Sequence, residues 1–259
     1  MKKLLFLVIL LSFKLSAQHL IAAVEDKINE NGYYTQLEYA LKNKDDVKNL
    51  YIKKRDADNF LNNSELYFPN LEVLIIQFSD LTDFKSLANN SKLKEISFRY
   101  SWKLQSLPND ITNLPQLEKA SFTNAFLSYL PSSFFDNTSL KEVCLCNNNL
   151  FKLPDIPENN TIRYLSLDIN HFKKLPASMI NLQKLQILGL KDCHFSEFPI
   201  EIFELKNIKT LDLSANPISS IPEKLSELSS LENLYLIKTQ IKELPKSMKK
   251  QLIKTSSYE

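Results

Sequence analysis

From Leu71 onward one pattern of apolar residues returns eight times, beginning at Leu71, Leu93, Leu117, Leu140, Ile162, Leu185, Ile208 and Leu231. Successive copies lie 22 to 24 residues apart. A period of that length restricts the chain to a solenoid, because one unit alone cannot bury its apolar face and must stack on its neighbours. Within each copy residues one, four and six are almost always aliphatic, as in Leu140/Val143/Leu145 and Leu185/Leu188/Leu190. The alternation between four and six is that of a short strand. Ala120, Phe98 and Phe122 depart from the aliphatic rule. Position nine reads Ser79, Ser101, Ala125, Asn148, Asn170, Cys193, Asn216 and Thr239, small and mostly polar where the chain leaves the strand. A buried amide or hydroxyl at that point can satisfy backbone groups that no neighbouring strand reaches.

The second half of every copy after the first carries an apolar-proline step, at Leu107-Pro108, Leu130-Pro131, Leu153-Pro154, Leu175-Pro176, Phe198-Pro199, Ile221-Pro222 and Leu244-Pro245. A degenerate earlier unit, Val47/Leu50/Ile52 with Arg55 in the ninth place, opens the array. Taken together these residues resemble the leucine-rich repeat family, whose typical unit is LxxLxLxxNxLxxLPxxLxxLxx, over most of the chain. The resemblance implies an α/β solenoid, a leucine-rich repeat arc with a parallel β-sheet on its concave face and short helical or extended segments on its convex face. It also implies a non-enzymatic recognition module that binds a protein or peptide across the concave sheet. Nine rungs would make a sheet roughly 40 Å long at about 4.8 Å per strand.

Only two glycines, Gly32 and Gly189, occur in the whole sequence. A phosphate-binding GxxxxGK[ST] loop, a dinucleotide GxGxxG turn and a GxSxG nucleophile elbow all need glycines at short spacing, so none can be drawn. No catalytic residue, cofactor or resident metal is expected.

Residues 1–17 read as a secretory signal peptide: Met1-Lys2-Lys3, an apolar run from Leu4 to Phe13, and Ala17 before the cut. The apolar run is shorter than the roughly 20 residues a spanning helix needs, so no membrane insertion is expected after cleavage. Export to a bacterial periplasm, cell surface or medium follows as an expectation. Removing Lys2, Lys3 and Lys14 leaves 29 basic residues against 30 acidic ones. A near-neutral mature chain gives no electrostatic argument for nucleic acid as a partner.

The remaining organisation divides into an N-terminal segment and capping helix at 18–46, the repeat array at 47–254 with its last unit merging into a C-terminal cap, and a tail at 255–259. Thr35 and Glu38 have capping-box spacing, which predicts a helix with Leu37, Ala40 and Leu41 on the face that covers the first rung. At the far end Leu244, Met248 and Leu252 recur at helical spacing, with Lys246, Lys249, Lys250 and Lys254 on the solvated face of a closing helix. Lys27 to Gly32, with Glu38 beyond, mimics a calcium loop but starts with lysine where an acid is required, and reads as a turn.

The three cysteines form no disulfide framework. Cys193 stands in a ninth position as a buried substitute for asparagine. Cys144 and Cys146, fifth and seventh in their unit, point from the concave face. Their roots lie roughly 6.6 Å apart along a strand, against the ~3.8 Å between Cβ atoms that a disulfide favours, so a bridge is not expected. With Asp168 on the next rung they make an alternative thiol or metal centre. His171 and His194 follow the ninth position in adjacent units and should stack, as copies of one His-Phe ancestor.

Positions three, five, seven, eight and ten form the concave face and its rim. The fifth position reads Tyr51, Ile75, Ser97, Ser121, Cys144, Ser166, Gly189, Asp212 and Tyr235: small in the middle and aromatic at both ends. Along one side run Phe78, Tyr100, Trp102 and Phe126, next to Arg99, Thr123 and Asn124. Aromatic side chains and an arginine on rigid strands are the types that dominate binding energy at interfaces. These seven residues, with Cys146 and Asp168 further along, are the candidate partner-binding set. Glycan binding on the aromatic edge is the remaining alternative.

Overall fold

A computed structural model describes residues 32–85, 87–250 and 254–256 of the chain. The signal-peptide reading of residues 1–17, and all of the calcium-loop mimic before Gly32, lie outside these residues.

Alternating apolar residues in successive units build one sheet of eleven parallel strands, each hydrogen-bonded to the next in sequence. The strands are β1 (Tyr33–Tyr34), β2 (Asn49–Lys53), β3 (Val73–Gln77), β4 (Glu95–Arg99), β5 (Lys119–Thr123), β6 (Glu142–Cys144), β7 (Tyr164–Ser166), β8 (Ile187–Gly189), β9 (Thr210–Asp212), β10 (Asn233–Tyr235) and β11 (Lys254–Ser256). The register keeps equivalent positions in line: Leu74 pairs with Ile96, Ile96 with Ala120, and the same column continues through Val143, Leu165, Leu188 and Leu211 to Leu234. Differences in unit length are therefore absorbed away from the sheet.

Positions four and six point inward and are buried along the whole array. Where position six becomes phenylalanine the rings stack, Phe84 on Phe98 at 5.0 Å between centroids and Phe98 on Phe122 at 5.3 Å. Ala120, the smallest fourth residue, shares a unit with Phe122. Close packing favours pairing a large residue with a small one at such a point.

The expected ninth-position ladder is present. Asn148 donates through Nδ2 to the carbonyls of Phe122 and Leu145, and its Oδ1 accepts from the Leu127 N–H. Asn170 repeats the pattern with Leu145, Leu167 and Leu150. Asn216 does so with Leu190 and Leu213, and accepts from both Cys193 and Phe195. Cys193 is fully buried and its thiol donates to the Leu167 carbonyl at 3.2 Å, which makes it the asparagine substitute expected.

The proline of each unit starts the convex segment. Pro108, Pro176, Pro199 and Pro222 precede 3-10 turns at Asn109–Asn113, Ala177–Asn181, Ile200–Glu204 and Glu223–Glu227. Their fixed φ, −62° at Pro108 and −64° at Pro222, is already that of a helical first turn. No such turn forms after Pro154, where Pro157 follows Ile156 and disfavours the helical conformation of the residue before it.

One regularity has no sequence signature. Position eight is left-handed in all nine rungs, at Lys54, Phe78, Tyr100, Asn124, Asn147, Ile169, Asp192, Ala215 and Lys238, with φ between 52° and 58°. None is glycine, and only the two asparagines and Asp192 are types that tolerate this region well. Its recurrence in every unit marks it as part of the scaffold rather than strain stored at one site.

The ends differ from expectation. Helix α1 (Leu37–Lys42) does bury Leu37 and Ala40, but its N-cap is Gln36 and no side chain of its own caps it. Thr35 is not the cap. The Leu37 N–H is satisfied by the Asp56 carboxylate at 3.1 Å, from helix α2 (Arg55–Asn62). Arg55, assigned the ninth place of the opening unit, begins that helix, and Asp58 in its first turn accepts from Ser79 Oγ and the Asp80 N–H. At the other end no closing helix runs through Lys254. A 3-10 turn at Lys246–Lys250 is followed by β11, which pairs with β10 from Lys254 to Ser256. Met248 is buried and Leu244 packs against the core. The sheet thus has two short edge strands beyond the nine expected rungs. No helix among the described residues is long and apolar enough to cross a membrane.

Candidate functional site

The concave face divides into two chemically distinct regions. The first is an aromatic rim over β3 to β5. Phe78 and Tyr100, both at the left-handed position eight, stack at 5.5 Å between centroids with 20° between planes. Trp102 continues the row, tilted by 47° at 5.6 Å from Tyr100. Phe78, Trp102 and Phe126 are exposed, at 40%, 47% and 46%. Asn124 Oδ1 accepts from Asn147 Nδ2 at 2.6 Å, and Thr123 lies half-buried at the end of β5.

Arg99 belongs to this region but is buried. Its Nε donates to Ser97 Oγ at 3.1 Å. Burial draws the guanidinium below its ordinary pKa, while Glu95, Tyr51, Tyr100 and Tyr33 oppose that shift. Tyr51 in turn donates to Gln77 Oε1. Arg99 is thus a packed member of the face, and the exposed side chains beside it are Phe78, Trp102 and Phe126.

The second region lies over β6 to β9. As the spacing argument expects, no bridge joins Cys144 and Cys146, but their sulfurs converge to 2.8 Å. The distance between side-chain roots along a strand leaves the sulfurs free to swing toward each other about χ1. Both cysteines are free and half-buried. Cys146 Sγ lies 2.9 Å from Ser166 Oγ, and Ser166 Oγ donates to Asp168 Oδ2 at 2.9 Å. Asp168 Oδ1 accepts from the Lys191 N–H, also at 2.9 Å. Asp168 does not touch the cysteines directly; Ser166 stands between them.

Gly189 explains how the carboxylate fits. A Cβ at that position would lie 2.6 Å from Asp168 Oδ1 and 2.9 Å from Ser166 Oγ, far inside contact distance. Burial, aided by Asp212, raises the Asp168 carboxyl to about 6. Asp212 is itself raised by burial, and Tyr164 is raised by burial and by the neighbouring thiols and Asp168. The hydrogen bond with Cys146 pulls the Cys144 thiol down. Its counterpart, together with burial, pushes Cys146 well up.

Sequence reasoning had picked out Cys146 and Asp168 but not Ser166 or Gly189. The available signal was that Gly189, the one glycine in the array, occupies the fifth-position column beside Ser166. Among the described residues no group of three or more histidine, cysteine or acidic side chains is arranged to hold a metal ion. His171 and His194 stack as the shared unit predicts, with 9° between planes and 3.4 Å between Nδ1 atoms.

Comparison with known proteins agrees with this architecture. The model of a leucine-rich repeat region matches residues 144–253. No curated protein matches the sequence. Among solved structures, a leucine-rich repeat protein of Leptospira interrogans is 27% identical with a TM-score of 0.75; the alignment covers 86% of this chain and 57% of that one. The present chain therefore spans little more than half the length of that protein. InlP of Listeria monocytogenes is 22% identical with a TM-score of 0.65, over 78% of this chain and 62% of that one. The leucine-rich repeat domain of the type III effector XopL is 20% identical with a TM-score of 0.61, over 78% and 86% respectively. At those identities the last two show the fold alone. With its nine in-register rungs, its asparagine ladder and these neighbours, the chain folds as a leucine-rich repeat solenoid.

Proposed function

We propose that this protein is a non-enzymatic recognition module that binds a protein or peptide on its concave surface, anchored by the aromatic rim. The leucine-rich repeat fold suits protein–protein interaction in general. The observation that carries the finer reading is the row Phe78–Tyr100–Trp102, ring against ring just beyond the ends of β3 and β4, with Phe78 and Trp102 exposed and Phe126 alongside. Large rings held at low conformational cost lose little entropy on binding, and such residues cluster at the energetic centre of interfaces. Export is part of the same reading and rests on residues 1–17, with their basic start and apolar run.

Affinity capture from extracts of the source organism tests it, with the protein as bait beside a Phe78→Ala/Trp102→Ala/Phe126→Ala variant. A protein retained by the first bait and lost with the second supports concave recognition. Retention that ignores the variant places the contact elsewhere. Fractionation of cells expressing the full chain, with an N-terminal sequence of the product, checks cleavage after Ala17.

A further inference from the structure

Four side chains on two adjacent rungs form a connected row, Cys144, Cys146, Ser166 and Asp168, with successive separations of 2.8, 2.9 and 2.9 Å. A recognition surface does not require such a row. The serine has one proton, and it is committed to the carboxylate, so Ser166 Oγ stands as an acceptor to which the Cys146 thiol can turn once Cys144 no longer takes its proton. The polarity of the row is thereby fixed, with Asp168 as the final acceptor. Two half-buried thiols within 2.8 Å on an outward face, backed by a proton acceptor, have the composition of a dithiol exchange site.

We propose that Cys144 and Cys146 form a dithiol–disulfide couple that exchanges with low-molecular-weight disulfides at the concave face, with Cys144 as nucleophile, Cys146 as resolving thiol, and Ser166 and Asp168 as the proton path. In the first step the Cys144 thiolate attacks one sulfur of a disulfide RS–SR. A Cys144–S–S–R bond forms, the RS–SR bond breaks, and one RS⁻ departs. In the second step Cys146 Sγ attacks Cys144 Sγ while its proton passes to Ser166 Oγ and the serine proton passes to Asp168 Oδ2. The Cys144–Cys146 bond forms, the bond to R breaks, and a second RS⁻ leaves. The two leaving thiolates take up the protons lost by the cysteines. Overall the protein dithiol is oxidised by two electrons and one disulfide is reduced to two thiols.

The roles follow from the surroundings. Cys144 is the thiol whose charge is stabilised by a hydrogen bond from its neighbour. Cys146 is held protonated chiefly by that same contact and by burial. Once Cys144 is tied up in a mixed disulfide its negative charge is gone, which removes one cause that keeps Cys146 protonated. Asp168 then needs to accept a proton near neutral pH, and its raised carboxyl suits it to that task. The groups that face Asp168 are Cys144 and Cys146 from the preceding rung, Tyr164 and Ser166 on its own, and Lys191, Cys193 and Asp212 from those that follow. Gly189 gives the carboxylate its place among them.

The test is equilibration of the reduced protein with glutathione buffers from reducing to oxidising, followed by quenching with an alkylating agent and peptide mapping. Paired, all-or-none protection of Cys144 and Cys146 in one internally bridged peptide is the expected result, with Cys193 unchanged. Cys146→Ser should stop at a glutathione adduct on Cys144, while Cys144→Ser should accumulate far less adduct. In Asp168→Asn, closure of the mixed disulfide should slow on the order of a hundredfold near neutral pH, and the deficit should shrink in alkali, where Cys146 ionises unaided. Thiols that remain alkylatable in every buffer, or that acquire glutathione independently without bridging, overturn the couple. Unchanged closure kinetics in a folded Asp168→Asn protein overturn the proton path. Because the wild-type map needs no variant and no binding partner, its failure is separate from failure of the recognition reading.

Discussion

The first four full rungs and the next five share one register yet solve the same corner differently. Strands β2 to β5 are five residues long, whereas β6 to β10 are three. Position nine in the longer-stranded rungs β3 to β5 is Ser79, Ser101 or Ala125; in the shorter-stranded rungs of β6, β7 and β9 it is asparagine, with Cys193 substituting in β8. The asparagine amides take up the carbonyls of Leu145, Leu167, Leu190 and Leu213, which end the strands. Over β3 to β5, where serine or alanine stands in the ninth place, the strand runs on through position seven and the outer rim carries stacked aromatics instead. The ninth residue thus sets the corner but not the strand length alone, since β8 and β10 carry Cys193 and Thr239 there and are still three residues long.

Breaking the ladder should give the largest effect. Asn216→Ala leaves the Leu190 and Leu213 carbonyls and the Cys193 and Phe195 amides without their partner, and should cost about 3 kcal/mol in denaturant unfolding. A loss below that of Ser79→Ala would mean that asparagine and serine corners are equivalent.

The second prediction concerns the carboxylate that the polar half buries. Asp168 is raised from 3.8 in the free chain to about 6 in the fold. An acid whose folded pKa is raised destabilises the fold once ionised, so the fold is favoured below the lower value and progressively disfavoured as pH climbs through the higher one. The stability of Asp168→Asn relative to wild type should therefore rise by on the order of 2 kcal/mol between pH 4 and pH 7. A difference that stays constant with pH would show that the carboxyl titrates normally.

Smaller effects belong to the aromatic half. Ser79→Ala removes an acceptor for the Leu81 N–H and a donor to Asp58, for about 1 kcal/mol. Trp102→Ala should change stability by less than about 0.5 kcal/mol, since the side chain is half exposed. The same change should weaken partner capture, and that separation between stability and binding sharpens the contrast of the two regions.

Periodicity made the fold legible because every unit must bury the same two strand residues, so register, core columns and the asparagine ladder could all be read from Leu71 onward. The left-handed turn at position eight could not, since lysine, phenylalanine and isoleucine occupy it as readily as asparagine. Side-chain direction was the other blind spot. Arg99 was counted among the binding residues from its position, yet a serine two residues away takes its Nε and the face closes over it. The cysteines were set apart by root spacing, yet their sulfurs meet. The caps misled because Asp56 supplies from a separate helix the acceptor expected of Thr35.

The constancy of register has a further consequence for engineering reach. Since variation in unit length falls outside the strands, the sheet behaves as a ruled grid in which columns are residue positions and rows are rungs. Inserting a second copy of residues 185–207 would add one row, about 4.8 Å of surface, and would carry Tyr235 away from Cys144 by that step while leaving each column intact. A ligand that spans both halves would feel the added row as a change of length alone.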